Sequence, residues 1–219
     1  MHATSNPSTP IDTLINTLDN ALRTLFAAPH ASTTCATLPE APTQLGEAER
    51  AQAAGLMRVN HVGEICAQAL YTAQALATRN PRLRVQYEAA CAEEVDHLAW
   101  TAQRLDELGG RPSLLNPLWY AGAFGLGLLA GRLGDSISLG FVVETERQVG
   151  AHLESHLGTG TDALPAGDHA SRAIVAQMHS DELAHARAAE EAGAAQLPPA
   201  VQELMRGTAK IMTTVARHV

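Results

Sequence analysis

The chain has 219 residues, 46% of them hydrophobic, and sets 15 Lys and Arg against 23 Asp and Glu for a formal charge of −8. That is enough apolar material for one substantial core, and an acidic chain without a basic run excludes an electrostatic footprint for nucleic acid. Three cysteines (Cys35, Cys66, Cys91) with no CxxC pair argue against a disulfide framework and for a reducing compartment. The N-terminus shows no apolar signal core, and Asp12 and Asp19 with little arginine are unlike a mitochondrial transit peptide. A bacterial cytoplasmic setting is the simplest expectation.

In chain order, "STPIDTLINTLDNALRTLF" predicts a short helix with Thr9 as N-cap and Pro10 at the first helical position. Residues 28–44 are rich in Pro, Ser and Thr and predict a linker or a surface arm. Long helices are expected at about 46–78, 82–108, 134–157 and 166–193, with a last one at about 198–217. Breaks are expected at Asn80-Pro81, Gly109-Gly110 and "GTGTDALPAG". No stretch alternates with period two, so the chain is expected to be all-α. Two units follow: 1–45, a helix and an arm, and 46–219, the main domain.

"SLLNPLWYAGAFGLGLLAGRLG", residues 113–134, carries no charge before Arg132. Its apolar run approaches the ~20 residues of a spanning helix, but Pro117 and the glycines at 122, 125, 127, 131 and 134 argue against a plain span. One reading makes it a core helix of a bundle. The other makes it an element that dips into a bilayer from one side or walls an apolar channel, with Trp119 and Tyr120 as interfacial aromatics.

The chemistry is carried by acids set in helical apolar patterns. "NHVGEICAQALY" places Glu64 in the middle of a helix face, and "AEEVDHLAW" and "HSDELAHAR" each hold a histidine three residues after a glutamate. Residues three apart share a helix face, so Glu94 with His97, and Glu182 with His185, each form one Glu-x-x-His pair. Two such helices, with two others giving one Glu each, are the ligand set of ferritin-like dimetal bundles. Glu64 precedes the first pair by 30 residues and Glu146 precedes the second by 36, so the halves resemble a duplication. Carboxylates can bridge two irons, imidazole suits iron, and the mixed set leaves positions open for O2 or water. Four glutamates neutralise two Fe(II) ions.

One Glu-x-x-His alone means little; two, each with an upstream acid in an apolar helix, are far more specific. Glu93 and Asp181 lie four residues before the histidines and compete as ligands, although Glu-x-x-His gives identical residue types in both halves. Glu144 and Glu146 are not separated by spacing. His61 and His152 are candidate outer partners of ligands, with satisfied helix polars the plainer alternative.

Beyond this pattern, "RVNHVGEICAQALY", "EEVDH", "RPSLLNPLW", "VVETERQVGAHL" and "DELAHA" resemble, in order, the motifs of the demethoxyubiquinone hydroxylase family. The resemblance covers roughly residues 50–219. It implies a ferritin-like four-helix bundle with an additional hydrophobic helix and a C-terminal helix. It also implies two Fe ions, held by Glu64, Glu94, His97, Glu146, Glu182 and His185. Glu146 is preferred to Glu144 because the family's third-helix Glu precedes a His, here His152, by six residues. Tyr71 matches the family's tyrosine, and Tyr71 and His152 are the candidate catalytic residues outside the ligand set. Asn60 departs from the Asp common there, a change expected to tune the site only.

The activity implied is O2-dependent hydroxylation of the ring of a polyprenyl benzoquinol, late in ubiquinone biosynthesis. Such a substrate lives in lipid, so peripheral attachment through 113–134 to the cytoplasmic side of a bacterial cell membrane is expected. A second copy of the chain and other ubiquinone-biosynthesis proteins are candidate partners. Rival readings are a ferritin-like iron store or peroxide scavenger, and a helical membrane scaffold without metal.

Overall fold

The computed structural model describes residues 9–35 and 44–219, in which every regular element is helical. The helices are α1 (Pro10–Phe26), α2 (Glu47–Ala77), α3 (Pro81–Glu107), α4 (Asn116–Arg132), α5 (Asp135–Leu157), α6 (His169–Glu191) and α7 (Pro199–Ala216). Their ends follow local chemistry. Thr9 and Asp12 close a reciprocal capping box ahead of Pro10. The Asn80 side chain accepts from the Arg82 amide, 3.0 Å away, before Pro81. Gly109 and Gly193 end α3 and α6 with φ of 70° and 101°, a conformation that costs glycine nothing. Of the predicted 28–44 stretch, residues 36–43 lie outside the described residues.

α2 pairs with α3, α5 pairs with α6, and contacts of α3 with α6 and of α2 with α5 close a four-helix bundle. Two apolar layers stack along it. One holds Leu56, Met57, Leu105, Leu153, Val175 and Met178; the other holds Tyr71, Leu83, Tyr87, Leu139, Val142 and Val143. On each of the four helices the central acid falls between the residues that enter these two layers. Each fully buried Leu, Met or Val stabilises by roughly 1.5–3 kcal/mol; an unpaired buried charge costs several kcal/mol. The apolar layers therefore hold in place a polar layer that would otherwise open the bundle. Arg104 pins α3 to the start of α6 through Asp168 (2.9 Å) and Ser171 (2.9 Å), and Asp168 also caps α6.

The segment 113–134 follows the core-helix expectation along one face. α4 packs along α2 as a core helix would, because Gly127 and Gly131 let the backbones approach closely. A Cβ on Gly127 would fall 2.8 Å from the Leu70 carbonyl oxygen, and one on Gly131 would fall 2.5 Å from the Ala77 Cβ. Its opposite face leaves Leu118, Leu126, Leu129 and the following Leu133 exposed. No helix among the described residues is long and apolar enough to cross a membrane.

The stretch 28–35 docks against α3. Ser32 and Thr33 bond both oxygens of Asp96 at 2.6–2.9 Å, the Trp100 indole donates to the Thr33 carbonyl, and Cys35 enters the core.

Candidate metal centre

Helical register carries four carboxylates and two imidazoles into the polar layer. Donor atoms of Glu64, Glu94, His97 and Glu182 lie within 4.8 Å of one another, as do those of Glu94, Glu146, Glu182 and His185. The two sets share Glu94 and Glu182, so these carboxylates stand between two ion positions while Glu64 and His97 flank one and Glu146 and His185 the other. All six residues picked from the sequence thus meet at one place.

Both histidines are aimed the same way. His97 Nδ1 faces Glu94 at 3.1 Å, Glu182 at 3.5 Å and Glu64 at 3.7 Å. His185 Nδ1 faces Glu94 at 3.3 Å and Glu182 at 3.4 Å. Their outer nitrogens are held crosswise: Asp181 of α6 takes His97 Nε2 of α3 at 3.1 Å, and Glu93 of α3 takes His185 Nε2 of α6 at 2.9 Å. Glu93 and Asp181, which compete as ligands on spacing alone, are orienting partners of the opposite helix's imidazole. The doubled acid in "EEVDH" and "DELAH" was the available signal, since the first acid of each pair reaches across and the second points inward.

Burial raises the Glu64 carboxyl well above its usual range, and Glu94 and Glu182 add repulsion. Glu146 is raised by burial and by the same two neighbours. For Glu94 burial acts upward too, but the facing imidazoles of His185 and His97 outweigh it and hold the carboxyl low. Burial pulls the imidazoles down, and the carboxylates around them overcome this: His185 is pushed up to about 12 and His97 also rises. The concentration of buried carboxylates demands positive charge at this place. Glu64 Oε2, Glu94 Oε1, Glu182 Oε2 and His185 Nδ1 are buried without a hydrogen-bond partner. Hard carboxylate oxygens with imidazole and unfilled lone pairs fit divalent first-row ions.

Tyr71, from α2, donates to Glu146 Oε1 at 2.5 Å and so fixes the acid that α5 gives to the six. Its own proton is held firmly, first by burial and then by the Glu146 charge. Glu144 is outside the cluster and accepts from Gln148. His152 does not converge on the six either; its ring packs edge-on against His156 with centroids 4.3 Å apart. His61 is buried and burial lowers it to about 4. Asn60 is buried with its Oδ1 unpartnered, its amide directed at the Met57 sulfur. Gln68, which the sequence did not single out, donates to the Glu94 carbonyl at 3.3 Å and accepts from Thr24 of α1 at 2.6 Å.

A helical bundle whose core gathers four carboxylates and two imidazoles into two overlapping sets defines a ferritin-like carboxylate protein able to hold a pair of metal ions. Residues 51–216 match the family described as ubiquinone biosynthesis protein COQ7, and the chain belongs to that family. A 3-demethoxyubiquinol 3-hydroxylase of Albidiferax ferrireducens is 65% identical over 213 residues, covering 97% of this chain and 100% of its own. The enzyme of the same name from Polaromonas naphthalenivorans is 65% identical over 212 residues, with 97% and 100% covered. That from Paraburkholderia phytofirmans is 54% identical over 214 residues, with 95% and 99% covered.

Proposed function

We propose that this protein is a 3-demethoxyubiquinol 3-hydroxylase, adding a ring hydroxyl to a polyprenylated demethoxyubiquinol with O2. The observation that carries the reading is the pair of donor sets sharing Glu94 and Glu182, in a chain similar over nearly its whole length to enzymes of that name. Two irons would be held by Glu64, Glu94, His97, Glu146, Glu182 and His185. When bound and reduced, the irons supply the activation of O2, so that one oxygen atom enters the ring C–H and the other leaves as water at the expense of two electrons.

This chain's residues supply the geometry. Glu94 and Glu182, common to both donor sets, would be shared by the two ions, and Glu93 and Asp181 fix the rings of His185 and His97 with Nδ1 inward. Tyr71 holds Glu146 by one oxygen, so that the other would be the one to meet a metal. The apolar layers on either side exclude water, which strengthens each electrostatic contact at the centre.

The substrate's tail belongs in lipid, and the reading includes peripheral attachment to the cytoplasmic face of a bacterial cell membrane. Leu114, Leu118, Leu126, Leu129 and Leu133, each 45–70% exposed, support it. The test is single-turnover incubation of the iron-loaded, reduced protein with demethoxyubiquinol and 18O2, read by mass spectrometry. One 18O in the hydroxylated quinol is expected; an iron-filled protein that returns the substrate unchanged overturns the assignment.

A further inference from the structure

α1 is placed with its polarity reversed. Ile11, Leu14, Ile15, Leu18, Leu22 and Phe26 are 55–71% exposed along its outer side, while the half-buried Thr13, Thr17 and Thr24, with the exposed Asn16 and Asn20 at the rim, line an open cleft of about 680 Å3. α2 and α3 form the other walls. The helix is held on the bundle by Ala21 and Leu25, packed against the cluster of Ile65, Ala69 and Leu98, and by the Thr24–Gln68 hydrogen bond. A polar helix face turned inward over a half-apolar wall is stable when something polar lies between them.

The floor of the cleft is wired to the metal centre at two points. Tyr71 lines it and donates to Glu146. Gln68 lines it and bonds the Glu94 carbonyl. The cleft volume falls within the roughly 300–1,000 Å3 of small-molecule sites.

From this geometry we infer that the cleft beneath α1 is the site where the methoxylated ring of the quinol docks before it reaches the metals. The inference rests on the hydroxylase reading and adds to it a binding role for residues 10–30, which lie outside the family match at 51–216. The lining favours a neutral, polar ring over an anion. Arg23 is held by Asp19 at 2.6 Å, and Arg84 is spent on the carbonyls of Ala75 and Thr78. Two exposed amides, Asn16 and Asn20, line the cleft and can donate into it. Thr13 and Thr17 give their hydroxyl protons to backbone carbonyls and present oxygen lone pairs. These groups suit ring hydroxyls and methoxy oxygens, and Ala75, Leu76, Ala92 and Val95 offer an apolar wall to the first prenyl unit. Tyr71 is then the partition between the docked ring and Glu146, and it must swing aside for the ring to advance.

The test is photolabelling of the full-length protein with a short-tailed quinone bearing an aryl azide, with and without excess unlabelled short-tailed demethoxyubiquinol, followed by peptide mapping. Label competed from residues 13–30 and 68–98 is expected. Competed label confined to the narrow crevice between α2 and α5, at Leu70, Phe141 and Thr145, overturns the cleft, as does the absence of competed label. A parallel turnover of the iron-loaded wild type separates this outcome from failure of the hydroxylase reading. Thr17→Trp, which fills the cleft from its roof, is expected to raise KM for the quinol about tenfold at unchanged iron content and helicity; an unchanged KM contradicts the inference.

Discussion

The inner bundle and the outer helices invert the usual distribution of polarity in opposite directions. Within α2, α3, α5 and α6, Glu64, Glu94, Glu146 and Glu182 are each 0–3% exposed. Outside, α1 and α4 present Leu18, Leu22, Phe26, Leu118 and Leu129 at 55–71%. Buried carboxylates are costly unless something positive meets them, and a contiguous apolar face on a soluble surface marks a partner or a membrane. On the proposed reading each inversion has a ligand of its own: cations would meet the inner one and lipid the outer. The two are also built to different tolerances: the inner set is crosslinked by hydrogen bonds within one layer, whereas the outer face needs only apolar area.

That contrast can be broken from either side. Glu182→Ala removes a carboxylate shared by both donor sets and is expected to abolish hydroxylation and weaken iron binding while circular dichroism still shows a helical fold. A variant that retains turnover would take Glu182 out of the centre. On the outside, joint replacement of Leu118, Leu126 and Leu129 by Asp should lower partition onto phospholipid vesicles by on the order of a hundredfold, with iron content unaltered. Cosedimentation measures it, and unchanged partition would move the membrane contact elsewhere.

Smaller changes sharpen the comparison. Asp181→Asn leaves all six inner residues in place but weakens the anchor on His97; metal affinity should fall roughly 10–100-fold, measured by competition with a chelator. The smallest effect concerns buried histidines away from the carboxylates. Burial holds His156 at about 3, with His152 adding to it. Its unfolded form takes a proton near 6.5 and its folded form does not, so stability is intact above that pH and declines as pH falls. His156→Leu should recover about 1–2 kcal/mol of the loss between pH 6.5 and pH 5 in denaturant titrations. Equal pH slopes for variant and wild type would show that His156 is protonated in the fold.

Helix ends were legible because Thr9, Asn80-Pro81 and Gly109 act locally, through caps and breaks that need no tertiary context. Five of the six inner residues were legible because each of two Glu-x-x-His pairs has an acid on the helix before it, and Glu146 followed from the family resemblance. Spacing alone did not separate Glu146 from Glu144, since both are buried on α5; what separates them is that Glu146 meets Tyr71 of α2 across the fold, whereas Glu144 accepts from Gln148 of its own helix. The crosswise roles of Glu93 and Asp181 were hidden for the same reason. His152 lay at a family spacing, yet its helical position carries it beside His156, and nothing in the local pattern shows that. The sequence showed α1 as a helix, but which side faces the bundle is decided by Ala21, Leu25 and the Thr24–Gln68 bond.

The most direct test of the central claim is the iron content per chain after anaerobic Fe(II) reconstitution and desalting. The account predicts about two irons per chain, falling steeply in Glu182→Ala. A value near zero in the wild type would leave four buried carboxylates without their cations and would contradict it.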